Sequence, residues 1–563
     1  MSDGRFQGVL ERVTAAGTVL ILRGNTSDVF LGPDGAPSRL PHVLAKHAAL
    51  EGRATVVFSV GHGTRQLTPP GRPAAPLHLP NADAPPAQAI QHLLGQLDTS
   101  PVPVQLVLDY ADLSVLPAHG ATTPDTSSVI ELVADFALDP ANTASGHRLV
   151  LLARVGTMDE RLGRLPGFTT IDLGLPGRHE RLQLIERLLS PASGVPLHLA
   201  PGMTAAQLAA TSGGLTLDDL FRGRDETVAT GGIDAAWVQD RKSARLRQLV
   251  GDSLIVYERG RGLADVAGLP QLRLLVREVR QTGQTPRRIL LAGPPGVGKT
   301  LVVTALADEL GIPAVALGSF RSMWVGESER NLRRVLDAVL ALAPCVLHID
   351  EIDQSVGQRT SGQSADGGTS ERILADLWGF LGDNTHTERV TVVATTNRPE
   401  LLDPAMFDRF TIVPVLHPVP AESAQIMRIA AAREGRELAE EGALHAVESY
   451  GELVTGRVLV DVAERAAVLA HLDSSPTIIG PTHLMQAFDD LLMALDPLRH
   501  EALALKAIEL CTFRSFLPWN AARSLGEEPH LPAYLRPLLN AGGDVDANLL
   551  RARLRQLTGG DER

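Results

Sequence analysis

Lysine is almost missing from this chain: of 52 basic residues only Lys46, Lys242, Lys299 and Lys506 are not arginine. Alongside abundant Ala, Leu, Gly and Pro, so strong a bias is a compositional habit, and it makes any lysine at a motif position informative. Cysteine is scarcer still. Cys345 and Cys511 cannot build a disulfide framework or a four-ligand zinc site. Positive charge is also short, with a net charge of −13, so the chain as a whole is not built to coat nucleic acid or an anionic membrane, although a local basic groove stays open. No stretch approaches the ~20 apolar residues that a bilayer span needs. The opening MSDGRFQGVLERVTAAG has neither the basic run nor the apolar core of a secretory leader. The expected compartment is the cytoplasm, with no membrane span and no nucleic-acid partner. Aromatics are few (4%), but 44% apolar and 21% charged residues describe a soluble globular protein and exclude wholesale disorder. At 563 residues the chain exceeds what one core serves, which predicts two or three domains.

Short apolar runs at Thr18–Leu22, Thr55–Val60, Val104–Leu108 and Leu149–Leu152, separated by helix-like stretches, predict a largely parallel sheet. Seven prolines from Thr68 to Pro86 predict an exposed loop or edge connection. The pattern turns helical from about Arg178 to Leu249. A second strand–helix series begins near Arg288, becomes helical after about Glu422, and ends in a helical tail from about Leu498. In that tail Leu550, Leu554 and Leu557 share one helix face. The face either packs on its own domain or docks a partner.

The sharpest signal is Gly293-Pro294-Pro295-Gly296-Val297-Gly298-Lys299-Thr300, which fits GxxxxGK[ST] between the apolar strand Ile289–Ala292 and the helix Leu301–Leu310, closed by Gly311. Glycines let successive N–H groups curl towards a β-phosphate, and the helix N-terminus adds positive potential. Lys299 would bridge β- and γ-phosphates, and the Thr300 hydroxyl would ligate Mg²⁺. Downstream, Cys345-Val346-Leu347-His348-Ile349-Asp350-Glu351 is an apolar strand ending in two carboxylates. There Asp350 can hold the Mg²⁺ shell, through water, and Glu351 can polarise the attacking water. A further strand, Val390–Thr395, leads to Asn397, which either orients the lytic water and senses the γ-phosphate or caps the following turn.

Together with Asp265-Val266-Ala267-Gly268-Leu269, the run Met323–Arg333, ATTNRPELLDPA and Asp408-Arg409-Phe410, these motifs make residues 262–495 resemble an AAA+ ATPase module, similar to the classical AAA clade. The resemblance implies a P-loop parallel sheet with a helical lid and ATP bound between subunits of a homo-oligomeric ring, most often a hexamer. It implies domains at 1–175 (a degenerate P-loop-like α/β domain), 176–250 (a helical, lid-like segment), 262–420 (large ATPase subdomain), 421–495 (helical lid) and 496–563 (helical extension). By the same resemblance Asp265, Val266 and Gly268 lie near the adenine, and Leu301 follows the loop. Lys299 and Thr300 sit on phosphate and Mg²⁺, Asp350 and Glu351 take the Walker B roles, and Asn397 is sensor 1. Trp324-Val325-Gly326 matches the pore loop that grips a threaded polypeptide. The other reading of Trp324 is a core residue.

Two departures stand out. Asp403–Phe410 keeps one arginine where many members have two, leaving Arg409 as the arginine finger. Thr455-Gly456-Arg457 replaces a Gly-Ala, so Arg457 is either a sensor 2 arginine or an exposed salt-bridging residue. In the N-terminal half, Val107-Leu108-Asp109-Tyr110 has tyrosine in place of the catalytic acid and Gly24-Asn25-Thr26 has no lysine, which predicts no hydrolysis there. His179-Glu180-Arg181-Leu182-Gln183 and His500-Glu501-Ala502-Leu503-Ala504 both lack the second histidine of HExxH. The expected function is an ATPase that remodels, unfolds or disassembles an unidentified protein client through its pore loop, with ATP and Mg²⁺ as cofactors. The alternative is a nucleotide-dependent scaffold or switch whose ATP-bound ring recruits partners without threading them.

Overall fold

The computed structural model describes residues 19–68, 77–80, 84–114, 124–154, 158, 162–190, 196–226, 231–250, 254–260, 262–282, 288–317, 328–353, 377, 379–382, 390–402, 407–438, 440–450, 453–473, 477–491, 496–540 and 544–559. The chain divides into two compact units, residues 1–237 and 238–563.

In the first unit the predicted apolar runs become β1 (Val19–Gly24), β4 (Ala54–Ser59), β6 (Val104–Leu108) and β7 (Arg148–Leu152). A hairpin of β2 (Val29–Leu31) and β3 (Pro37–Arg39) follows β1, β5 (Gly63–Leu67) follows β4, and β8 (Phe168–Leu173) completes the set. The sheet order is β5-β4-β6-β7-β1-β8. Only β5 runs antiparallel to its neighbour. Val19 and Ile21 enter one core with Ile90 and Leu93, while Leu20 and Leu22 enter another with Phe30, Leu40 and Leu44. A strand buried on both faces must read as a continuous apolar run, which is why these strands were visible in the sequence. The proline-rich stretch ends differently from expectation, since Pro86 is the first residue of the helix Pro86–Leu97, where its missing N–H costs nothing. The helices Arg178–Leu189, Ala205–Thr211 and Leu217–Glu226 follow β8.

The helix Ala235–Val250 runs across the boundary, and its second-unit part is anchored by polar contacts. Gln239 donates to Asp308 and to the Ile312 carbonyl, and the fully buried Lys242 donates to the Pro344 carbonyl at 2.7 Å. The second sheet comprises β9 (Leu254–Val256), β10 (Arg288–Ala292), β11 (Ala314–Leu317), β12 (Cys345–Ile349), β13 (Val390–Thr396) and β14 (Thr411–Pro414), in the order β14-β10-β13-β12-β11-β9. Again only the edge strand, β9, is antiparallel. The helices Pro420–Arg433, Glu440–Tyr450, Gly456–Leu472 and Pro481–Asp489 then close around Met427, Val447, Leu459 and Leu484. This is the α/β P-loop class that the sequence predicts.

Residues 496–559 are built into the second unit. Leu550 and Leu554 are buried with Trp519, Leu505 and Leu416, and Leu557 packs against them, so the last helix serves its own core. Thr512 extends the sheet edge: its N–H donates to the Ile412 carbonyl, and the Ile412 N–H donates to its hydroxyl. Glu527 accepts both arms of Arg273 at 2.5 and 2.7 Å.

Candidate nucleotide-binding site

β10 delivers the chain to Gly293, where a Cβ would stand 1.9 Å from the Val415 carbonyl oxygen, so the strand can leave the sheet there only as glycine. The loop turns through Gly296 and Gly298, both at positive φ, into the helix Lys299–Leu310, which Gly311 ends in the left-handed conformation. The N-terminus of that helix faces a cleft of about 510 Å³, within the range of small-molecule sites.

Of the residues predicted to bind nucleotide or metal, Asp265, Val266, Pro295, Gly296, Val297, Gly298, Lys299, Thr300, Leu301, Asp350, Glu351, Asn397 and Arg457 all line this cleft. Gly268 lies behind it, with its α-carbon against Glu422, which lines the wall. Gly293 and Pro294 turn their carbonyls onto Lys299, whose Nζ donates to them at 2.9 and 2.6 Å. Burial pushes the Lys299 pKa down to about 8, with Asp350, Asp353 and Glu351 pulling it back up. A polyanion beside it would favour the charged form further. Arg409 is exposed and is not among the residues lining the cleft. Trp324, Val325 and Gly326 lie outside the described residues.

Two carboxylates and an amide meet opposite the loop. Asp350 Oδ1 accepts from the Thr395 hydroxyl at 2.5 Å, and that hydroxyl oxygen accepts the Glu351 N–H at 3.1 Å. Glu351 sits at φ +46, a conformation a glutamate rarely adopts, and its Oε1 accepts from Asn397 Nδ2 at 3.0 Å. The strain thus sits on the proposed water activator, and Asn397 touches that acid directly. Thr396 fixes the next carboxylate, donating to Asp353 at 2.8 Å. From the lid, Thr455 caps the helix Gly456–Leu472 and the Arg457 N–H donates to the Gly296 carbonyl, which ties the start of that helix to the loop. Arg433 pairs with Asp265 at 3.3 Å. The set Thr300, Asp350 and Glu351, all oxygen donors on one cleft, fits a hard divalent cation such as Mg²⁺ held beside phosphates.

Sequence reasoning missed Thr395, which joins the two acids, although a hydroxyl at the end of β13 was visible in ATTN. It also missed Arg433 and Glu422, whose places depend on how the lid folds back.

A glycine-rich turn at a helix N-terminus, with a lysine, a hydroxyl and a strand-end acid pair on one cleft, defines a P-loop nucleoside-triphosphate site. Residues 289–416 match the model of the ATPase family associated with various cellular activities (AAA), so the chain carries an AAA ATPase module. It is 36% identical over 264 residues to ATP-dependent zinc metalloprotease FtsH 1 of Symbiobacterium thermophilum, covering 43% of this chain and 42% of that protein. It is 34% identical over 231 residues to ATP-dependent zinc metalloprotease FtsH of Acidothermus cellulolyticus, covering 37% and 33%. The chain therefore spans less than half the length of these relatives. The crystal structure of the FIGL-1 AAA domain is similar at 23% identity and a TM-score of 0.40, over 47% of this chain and 95% of that domain.

The two HE pairs have other partners here. His500 is hydrogen-bonded to His417, Glu501 to Arg553, and His179 to Gln183. Among the described residues no helix is long and apolar enough to cross a membrane.

Proposed function

We propose that this chain hydrolyses ATP in a cytoplasmic homo-oligomeric ring, most simply a hexamer, and uses the cycle to unfold, extract or disassemble a protein client. The observation that carries the ATPase half is the convergence of Lys299, Thr300, Asp350, Glu351, Asn397 and Arg457 on one cleft. Loop N–H groups and Lys299 hold the β- and γ-phosphates. Thr300 and, through water, Asp350 would hold Mg²⁺, which would offset the charge of the phosphates. Glu351 takes a proton from water as the water oxygen attacks the γ-phosphorus and ADP leaves. Arg409 serves the site of the next subunit, where charge develops away from its own cleft.

The remodelling half rests on the sequence Trp324-Val325-Gly326, which matches an aromatic-hydrophobic-glycine pore-loop pattern whose aromatic could intercalate between side chains of any sequence. The matched relatives are by name ATP-dependent proteases, which supports a protein client, but neither HE pair of this chain completes their zinc motif. ATP turnover should rise with an unfolded protein and lose that response in Trp324→Ala. A response indifferent to Trp324→Ala would favour the switch reading, in which ATP assembles a partner-recruiting ring.

A further inference from the structure

β12 carries a histidine where its neighbours are apolar. His348 is fully buried, and residues 346, 348 and 350 share one face of the strand, so the ring lies in line with Asp350. A buried imidazole is costly unless its nitrogens are used. Its Nδ1 lies 2.6 Å from the Tyr257 hydroxyl, and the rings sit 5.7 Å apart.

Tyr257 stands just past β9, two strands away, with β11 between. It reaches because β11 offers only alanines on that face: Ala316 pairs in register with His348, and the Ala314 carbonyl accepts the Tyr257 N–H. The second nitrogen, Nε2, has no hydrogen-bond partner among the described residues and lies 3.7 Å from Asp350 Oδ1.

The tautomer follows from this arrangement. Were Nδ1 the protonated nitrogen, the Nε2 lone pair would face a carboxylate. With the phenol donating to Nδ1, the ring proton would sit on Nε2, the nitrogen 3.7 Å from Asp350 Oδ1. At 3.7 Å this is no hydrogen bond, but it is a charge–dipole attraction that solvent does not screen on the histidine side.

We propose that His348, its tautomer set by Tyr257, is a positioning residue for Asp350: it adds an attraction to the Thr395 hydrogen bond on Oδ1 and so steadies the carboxylate that would serve Mg²⁺. This rests on reading the cleft as the Mg²⁺–ATP site. The arrangement resembles the outer partners that orient metal-holding groups, whose loss typically weakens metal affinity by roughly tenfold or more.

The test uses the full chain and a fluorescent, non-hydrolysable ATP analogue, titrated in EDTA and then against Mg²⁺. His348→Phe should bind the analogue in EDTA like the parent and keep its unfolding midpoint. The Mg²⁺ concentration that half-enhances binding should rise about tenfold. Tyr257→Phe, which keeps the ring and lets the tautomer go free, should shift it less and in the same direction. ATP turnover should recover in both at high Mg²⁺. Parent-like Mg²⁺ dependence in folded His348→Phe overturns the proposal, and should that variant not fold, parent-like dependence in Tyr257→Phe does. A parent protein that binds no analogue with or without Mg²⁺ would instead defeat the nucleotide-site reading itself.

Discussion

Counting the five parallel strands of each unit along the chain, the first sheet runs β4-β6-β7-β1-β8 and the second β11-β12-β13-β10-β14, which is the order 2-3-4-1-5 twice. The helical parts correspond as well. A two-residue parallel bridge joins Leu199 to Ile233 in the first unit, and β15 (Glu437–Leu438) pairs parallel with β16 (Ile478–Ile479) in the second.

Register fixes the equivalent positions. Leu108 pairs with Leu151 as Ile349 pairs with Ala394, so Asp109 matches Asp350, Tyr110 matches Glu351 and Arg154 matches Asn397. Tyr110 even keeps the unusual backbone, at φ +57. Gly24 matches Gly293 and makes the same approach, with a Cβ that would stand 2.7 Å from the Leu173 carbonyl oxygen.

What differs is the content of the crevice. After Gly24 the chain makes the β2–β3 hairpin in place of a phosphate turn, and the helix that follows, Leu40–Leu50, carries its lysine, Lys46, past its midpoint, paired with Asp34. Arg154 fills the position facing the acid, bonding Asp109 through Nε at 2.6 Å and Nη2 at 3.2 Å and the Thr26 carbonyl through Nη1. The N-terminus of the helix Leu217–Glu226 is met by the Asp28 carboxylate, which accepts from the Leu217 and Asp218 N–H groups. A guanidinium thus holds the acid that matches Asp350, and a carboxylate meets a helix N-terminus whose counterpart, at Gly456–Leu472, starts on the cleft. One fold holds an open site and a self-filled one, so the chemistry resides in the side chains.

The largest effects should separate the units outright. Glu351→Gln should keep nucleotide binding and lower hydrolysis by roughly 10²–10⁴-fold, and Lys299→Ala should abolish binding. Calorimetry should find one nucleotide per chain in the parent and none in Lys299→Ala. A residual site in that variant would mean that the first unit is open after all. Next, Arg154→Ala should destabilise the first unit by about 3 kcal/mol, because it strands a buried carboxylate. Both side chains are only 7% exposed. Denaturant unfolding should show the loss, with ATP turnover per folded chain unchanged.

Much of the second unit was legible because its signals are local: a strand, a turn and a helix within Ile289–Leu310, then an acid pair closing an apolar run. The strands of the first unit were legible for the same reason. The pairings that decide chemistry were not. Asp109 meets Arg154 across 45 positions and His348 meets Tyr257 across 91, and only the sheet order brings them together. The helical extension gave amphipathic faces without their partners. That Leu550 covers Trp519, and that Thr512 pairs with β14, depend on where the tail folds back.

That extension sharpens the comparison at a smaller scale, since it brings a buried histidine pair to the second unit. His417 and His500 are bonded at 3.0 Å. Burial, then His500 and Lys299, push the His417 pKa down to about 3, and burial and Arg499 lower that of His500 against Asp496. Both therefore titrate below an unfolded histidine near 6.5, so stability is full above that pH and is lost as pH falls, by about 2 kcal/mol between pH 7 and 5 for His417 alone. Urea unfolding at the two pH values should show this loss shrink in His417→Gln. An unchanged difference would place the acid sensitivity elsewhere.

The smallest expected effect is none, and it bears on the expectation that the first unit hydrolyses no ATP. Tyr110→Glu restores an acid at a backbone position that already has the geometry of Glu351, without touching the sheet. If one lost residue had silenced the unit, that variant in a Lys299→Ala background should regain measurable ATP turnover. No turnover should appear, because no lysine stands at the end of β1, a hairpin occupies the place of the cradle, and Arg154 holds Asp109. A new glutamate beside the Arg154 guanidinium, now 5.7 Å from the Tyr110 ring, would form an ion pair and strengthen the closure. Turnover above background in the double variant would show instead that the self-filled crevice opens to nucleotide, and that the distinction between the units rests on a single side chain.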